Sequence, residues 1–285
     1  MLYIDLLKNN INKFKWINLL IKMSISYNVG GRFGNNLFQY FATKVIGKYS
    51  NKNYVYKKRF LTVIGDNNYE DTYNKCKNNS SYLEGDIFVD GYFQTTHWIN
   101  EEKDYINSLL TLDNTDKIND SYTVKDIVEA LNSFDKSSIN EDDLVVHIRL
   151  DDFYHQGYNS EVIHPVFLRD YILPLMNTFK RCIFVVDTLK KDWEREYMNI
   201  LLLIPNSISV TNDMLKDFSL LFYSKNVLLC RSTFGWIASL ISPHNKKVWF
   251  PEQFPLINSH QIIPKFNDNS IHFNPIYMKQ GGSHY

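Results

Sequence analysis

The sequence predicts an α/β protein built on parallel sheet, and three observations carry that reading. In the second half, β-branched apolar runs alternate with stretches of helical periodicity, the pattern of successive βαβ units. The first half opens with a strand, a glycine turn and a helix. Polar and charged residues collect where the apolar runs end, and in open α/β sheets the strand carboxyl ends are where ligands bind.

The first strand runs from Ile25 to Val29. Gly30-Gly31-Arg32-Phe33-Gly34-Asn35 turns the chain, and Leu37, Phe38, Phe41, Ala42, Val45 and Ile46 then recur at helical spacing. Residues 64–81, rich in Asn, Asp and Ser, read as a loop or insertion. Ile87-Phe88-Val89 is a second strand, followed by Gly91-Tyr92-Phe93-Gln94. Residues 99–140 read as broken helix, with polar breaks near Asn114 and Ser137. Strands follow at Leu144–Ile148, Cys182–Val186, Val227–Cys230 and Lys247–Phe250, with helices at Phe167–Phe179, Trp193–Leu203, Met214–Tyr223 and Phe234–Ile241. Pro174 is expected to kink the first of these helices. Right-handed crossovers would put the four strand carboxyl ends on one edge, so that His147 with Arg149, Asp187, and Ser232 with Thr233 offer polar groups to one crevice. The expected organisation is an amphipathic extension at 1–22, one domain at 23–140, and a second at 141–285. The tail of the second, weakly patterned from Pro264 and ending in Gln280-Gly281-Gly282-Ser283, is expected to be mobile.

Composition narrows the function classes. A chain of 285 residues that is 44% hydrophobic and 15% aromatic can build one large or two ordinary cores, which excludes a disordered chain. Basic and acidic residues number 31 each, and such a balance disfavours a dedicated nucleic-acid binder. Cys76, Cys182 and Cys230 are odd in number, and the last two sit in apolar runs. They read as small buried hydrophobes, and the reducing cytosol (the host's, for a viral source) is the simpler compartment. Asp5, Lys8, Lys13, Lys15 and Lys22 interrupt the apolar residues of the N-terminal stretch. An amphipathic helix making weak membrane-surface contact is therefore expected there, with no transmembrane segment and no signal peptide, and Met23 is an alternative start. No Asp-x-Asp pair, no helical His-x-x-x-His pair and no Gly-x-Ser-x-Gly elbow occurs, so no metal or other cofactor is expected.

Each constellation has an ordinary reading beside a functional one. The Gly30–Asn35 turn lets backbone approach an anion at a helix start, or simply ends in Asn35 as an N-cap. It has neither dinucleotide-binding nor Walker spacing. Arg149 offers a planar fork suited to phosphate, or pairs with Asp151 or Asp152. Ser232 and Thr233 hold phosphate oxygens, or cap a helix. Asp187 accepts from a base or ribose, or is a helix cap or paired surface acid.

Taken together and in order, these segments resemble the α-1,2-fucosyltransferase family (glycosyltransferase family 11-like) and other GDP-fucose-dependent enzymes, over most of residues 25–251. Gly31-Arg32-Phe33-Gly34-Asn35-Asn36-Leu37-Phe38-Gln39-Tyr40 is similar to the family's Gly-Arg-x-Gly-Asn-Gln-x-Phe-Gln-Tyr block. Gly91-Tyr92-Phe93-Gln94 and His147-Ile148-Arg149-x-x-Asp152 resemble its second and third blocks. Phe184-Val185-Val186-Asp187, with Trp193 beyond, resembles the Phe-Ser-Asp-Asp-x-x-Trp region. Asp217 through Trp236 is similar to the block ending Ser-Ser-Phe-Ser-Trp, and Lys247-Val248-Trp249-Phe250-Pro251 to the last strand. The chain departs from the pattern at Leu150 and Asp151, which replace a second Arg and a Gly, at Asn36, which replaces Gln, and at Gly235 and Ile237, which replace Ser and Trp.

The resemblance implies a GT-B fold, two Rossmann-like domains facing across a cleft, with 23–140 on the acceptor side and 141–285 binding GDP-fucose. It implies metal-independent, inverting transfer of fucose from GDP-fucose to a glycan hydroxyl, α-1,2 to galactose or a similar sugar. Carried onto matching positions, Arg149 would hold the diphosphate, and His147 and Asp187 would lie near the guanine. Ser232, Thr233 and Phe234 would line the phosphate pocket, while Arg32, Phe33, Gly34 and Asn35 would face the fucose and acceptor. Arg149, Asp152 and Asn35 are the catalytic candidates, Asp152 either as general base or as the group that orients Arg149. Two other readings stand beside this one: a catalytically decayed carbohydrate- or nucleotide-binding protein on a transferase fold, and a Rossmann-type NAD enzyme.

Overall fold

The structure is a computed structural model that describes residues 23–58, 60, 62–94, 97–150, 162–245, 247–251 and 270–278. The chain is α/β and carries two separate sheets, in each of which every paired strand is parallel to its neighbours. It divides into two compact units: the described parts of Met1–Gly31 with Asn36–Phe93, and Arg32–Asn35 with the described parts of Gln94–Tyr285. The calls on residues 1–22 and on the tail's last residues lie outside the described residues.

The first unit holds β1 (Ser24–Tyr27), most of α1 (Phe33–Ser50), β2 (Asn53–Tyr54), β3 (Thr62–Gly65), α2 (Asp66–Asn78) and β4 (Ile87–Asp90). Its strand order is β2-β1-β4-β3. Ile25 and Tyr27 lie opposite Ile87 and Val89, and all four are buried. The apolar stripe of α1 from Leu37 to Ile46 is buried as its spacing predicts. The loop expected at 64–81 is instead the end of β3 followed by α2. The buried face of α2 is Tyr69, Thr72, Tyr73 and Cys76, at helical spacing. That stripe is written in tyrosine, threonine and cysteine among many Asn and Asp residues, so an aliphatic periodicity does not reveal it. Beyond β4, Phe93 adopts φ of +52° and is buried. The Asp66 carboxylate accepts the Tyr92 and Phe93 N–H groups at 3.0 and 2.6 Å, which holds that turn in place.

The second unit contains α3 (His97–Glu101), α4 (Lys103–Leu109), α5 (Val124–Ser133), β5 (Asp143–Ile148), α6 (Pro165–Leu175), β6 (Arg181–Val186) and α7 (Asp192–Leu201). It continues with β7 (Ser207–Val210), α8 (Met214–Tyr223), β8 (Asn226–Leu229), α9 (Thr233–Ile241), β9 (Lys247–Pro251) and β10 (Ser270–Phe273). The order is β10-β9-β8-β5-β6-β7, which puts β5 and β8 at the centre. Alternate residues divide between the faces. Leu144, Val146 and Ile148 join Cys182, Phe184 and Val186 in a core with Leu168, Ile172, Tyr197 and Leu201 of α6 and α7. His147 and Leu229 face α9.

Two features of this unit depart from the sequence expectation. The edge strands β7 and β10 were not predicted; each is four residues long, and most of its residues are only partly buried, so neither carries the apolar run of an inner strand. Pro174 sits in the last turn of α6, which ends at Leu175 and not at Phe179, because proline has no N–H to continue the helix. Gln94–Tyr285, with Arg32–Asn35, form the second compact unit. The reason is packing: α3 and α4 lie against α9, α5 lies against α8, and Phe134 stacks on Tyr223 at 5.6 Å. No helix among the described residues is long and apolar enough to cross a membrane.

At the amino end of β5, the buried Asp143 carboxylate receives the Arg181 guanidinium through two nitrogens and the Asn140 N–H at 2.7 Å. Arg181 also donates to the Ser138 carbonyl at 2.9 Å. The pair pins β5 to β6. Asp143→Ala should therefore lower the unfolding free energy by about 2 kcal/mol, since it removes charge-assisted hydrogen bonds while the partly exposed Arg181 regains water. A denaturant titration that moves by less than a few tenths of a kcal/mol would refute the pinning role.

Candidate functional site

The candidate site is assembled at the carboxyl ends of β8, β5 and β6, with the amino end of α9 above them. Parallel registers align Ile148 with Val186 and His147 with Leu229, and the Cys230 N–H adds a further rung to the His147 carbonyl at 3.3 Å. Extending these registers places Arg149 between Asp187 and Arg231 along the sheet edge.

His147 is 6% exposed, and its buried Nδ1 has no hydrogen-bond partner among the described residues. Burial, aided by the nearby Arg149 charge, pushes its pKa down to about 3, so the imidazole is neutral at physiological pH. Its ring centroid lies 5.5 Å from that of Phe234. This packing explains Gly235, one of the positions where the chain departs from the family it resembles. A Cβ there would stand 2.7 Å from His147 Nδ1 and 2.9 Å from Leu229 Cδ2.

Helix α9 begins at Thr233. Ser232 occupies the cap position, but its side chain makes no cap hydrogen bond, so the ordinary reading of Ser232 as a side-chain cap does not hold. No acidic residue stands in the first turn, which leaves the positive end of the helix dipole uncompensated by its own sequence.

The Arg32–Asn35 turn packs on that helix end. Phe33 meets Tyr122, Phe218 and Phe234 at centroid distances of 5.6, 5.7 and 6.1 Å. Backbone approaches backbone at Gly34, where a Cβ would lie 2.5 Å from the Phe234 nitrogen. Because α1 starts at Phe33, Asn35 lies inside its first turn and is not the N-cap; its Oδ1 accepts the Gln94 side-chain amide at 3.0 Å. Arg32 is exposed.

Asp187 is exposed and accepts the Thr188 N–H at 2.7 Å; it caps no helix, as α7 starts only at Asp192. It has a neighbour that sequence reading passed over. Asp217 of α8 is buried, and burial raises its pKa to about 6, with the Asp213 and Asp187 charges adding to the shift and Asn212, which donates to it at 2.8 Å, opposing it. The sequence signal for Asp217 was its place at the head of the fifth resembled block, not its local pattern, which is that of any helix-borne acid. Arg231 was likewise passed over; it is 5% exposed. Leu150 is buried in the apolar core, while Asp151 and Asp152 lie outside the described residues. Among the described residues no group of three or more His, Cys, Asp or Glu side chains is arranged to hold a metal ion.

Chemically, the edge offers guanidinium forks, hydroxyls and helix N–H groups suited to phosphate oxygens, and carboxylates at Asp187 and Asp217 suited to N–H or O–H donors. No family model matches the chain, and no curated protein sequence matches it.

Two outcomes are expected. Gly235→Ala should destabilise the protein by about 2 kcal/mol through overpacking, and His147→Ala should relieve part of that cost. The double mutant should then be more stable than the sum of single losses; strict additivity in denaturant unfolding would sink the contact. The raised pKa of Asp217 makes its ionisation costly only in the folded state. Stability should accordingly fall as pH rises from about 4 to about 6, by an amount on the order of 3 kcal/mol. Asp217→Asn should flatten that part of the pH–stability profile, and an unchanged slope would show that Asp217 titrates normally.

Proposed function

We propose that this chain is a glycosyltransferase of GT-B architecture that transfers fucose from GDP-fucose to a glycan hydroxyl with inversion. The observation that carries the reading is the sheet edge itself. Arg149 follows β5, and Ser232 and Thr233 begin α9 after β8, at the same edge of the second sheet; the Arg149 charge reaches a neutral His147 that packs on α9, and the Arg32–Asn35 turn packs on the start of that helix. The ordered resemblance to GDP-fucose-dependent enzymes supplies the sugar nucleotide.

In this reading the bond between the fucose anomeric carbon and the β-phosphate oxygen breaks as an acceptor hydroxyl attacks from the opposite face. The electron pair of the broken bond goes to the β-phosphate, so negative charge grows there while the sugar takes on oxocarbenium character. Arg149, the hydroxyls and the α9 N–H groups are fixed donors for that charge, the role a metal plays in other transferases. Asp187 and Asp217 are acceptors for the guanine or ribose. The acceptor hydroxyl gives its proton to Asp152, or to water where Asp152 instead orients Arg149. The acceptor is galactose or a similar sugar, and a cytosolic setting accords with three buried free cysteines.

Thermal unfolding with GDP, GDP-fucose and NAD tests the class: the first two should raise the transition and NAD should not. Donor turnover with EDTA present should persist, and a folded protein that binds GDP without turnover would establish the decayed reading. Arg149→Ala should lose 10²- to 10³-fold in turnover, about 3–4 kcal/mol of barrier, with the fold intact by circular dichroism. Near-normal turnover in that variant would overturn the assignment.

A further inference from the structure

We propose that Arg231 is a second diphosphate-binding residue, acting with Arg149 from the neighbouring strand. The inference rests on the nucleotide-sugar reading and names how its anion is shared. β8 and β5 run parallel in register through Leu229 and His147, and Cys230 extends the ladder to the His147 carbonyl. Continued past the last paired residues, the register sets Arg231, two residues beyond the end of β8, opposite Arg149, one residue beyond the end of β5. Strands in a sheet lie about 4.8 Å apart, a spacing suited to oxygens on two linked phosphoryl groups. Two planar forks set side by side at that spacing fit a diphosphate better than a single phosphate.

The surroundings point the same way. Arg231 immediately precedes Ser232, the cap residue of α9, whose first turn holds no acid. Two guanidiniums and a helix amino end outweigh the Asp187 carboxylate that flanks Arg149 on the other side, and a polyanion is the ligand class that such an edge attracts. An independent mark of a ligand is His147, whose buried Nδ1, against the first turn of α9, has no hydrogen-bond partner among the described residues. Position 150, where the resembled family carries its second arginine, is a leucine buried in the apolar core. The second cation then comes from β8 and not from the loop after β5.

Isothermal titration of the whole chain with inorganic pyrophosphate, orthophosphate and GDP tests this directly. The variants are Arg231→Gln and Arg231→Lys, each checked for thermal unfolding without ligand. Arg231→Gln should weaken pyrophosphate and GDP at least ten-fold and orthophosphate much less. Arg231→Lys, which keeps the charge and loses the fork, should fall between. Wild-type pyrophosphate affinity in a folded Arg231→Gln overturns the proposal; if that variant fails to fold, full affinity in Arg231→Lys does so. If the wild type binds pyrophosphate but ignores GDP, and Arg231→Gln loses the pyrophosphate, the arginine pair stands and the nucleotide-sugar reading falls. If it binds GDP and Arg231→Gln does not alter that, the reading stands and Arg231 is removed from it. Binding of neither probe overturns both.

Discussion

Helix α9 lies so close to the end of β5 that residue 235 has no room for a side chain. Its Cα sits against the His147 imidazole on one side, and one residue earlier its backbone meets the backbone of Gly34. Two glycines thus set the position of one helix amino end against a strand end and against a second turn. The aromatic contacts of Phe33 with Phe218, Phe234 and Tyr122 hold the arrangement by burial and edge-to-face packing. Every other feature of the edge follows from that approach, because it fixes where the helix N–H groups stand relative to Arg149.

The same packing sets the electrostatics. His147 is an inward-facing residue of a central strand, so its desolvation leaves it neutral. Asp217 is buried on α8 and holds its proton to higher pH than an exposed acid. Arg149 and Arg231 cannot lose their charge in this way, since guanidinium remains protonated in proteins. Two groups of the edge, His147 and Asp217, are thus drawn toward neutrality, beside the two arginines and the exposed Asp187.

The first sheet is organised by different means. Asp66 spends its carboxylate on the N–H groups of the Tyr92–Phe93 turn, and Gln39 donates to the Gly91 carbonyl at 2.9 Å while accepting the Gly30 N–H at 3.3 Å. Conserving the turn's shape in this way consumes polar side chains that, read singly, look available for chemistry. Asn36 does the same, donating to the Gly30 carbonyl at 2.9 Å. These residues resembled part of a recognition block, and the structure assigns them backbone satisfaction.

The linear pattern by itself determined the α/β class, the inner strands and the helices of the second half, because buried parallel strands and amphipathic helices write their burial directly into aliphatic spacing. It also marked His147, Arg149, Asp187, Ser232 and Thr233 as polar residues at or just beyond the ends of apolar runs. It did not reveal α2, whose buried stripe is tyrosine, threonine and cysteine, nor the four-residue edge strands, which need only one neighbour and little burial. Tertiary structure alone decided that 94–140 pack with the second sheet, that Gly235 exists to admit His147, and that Arg231 stands level with Arg149. Those facts depend on register and on close approach between segments far apart in the chain, and no local window of sequence contains either.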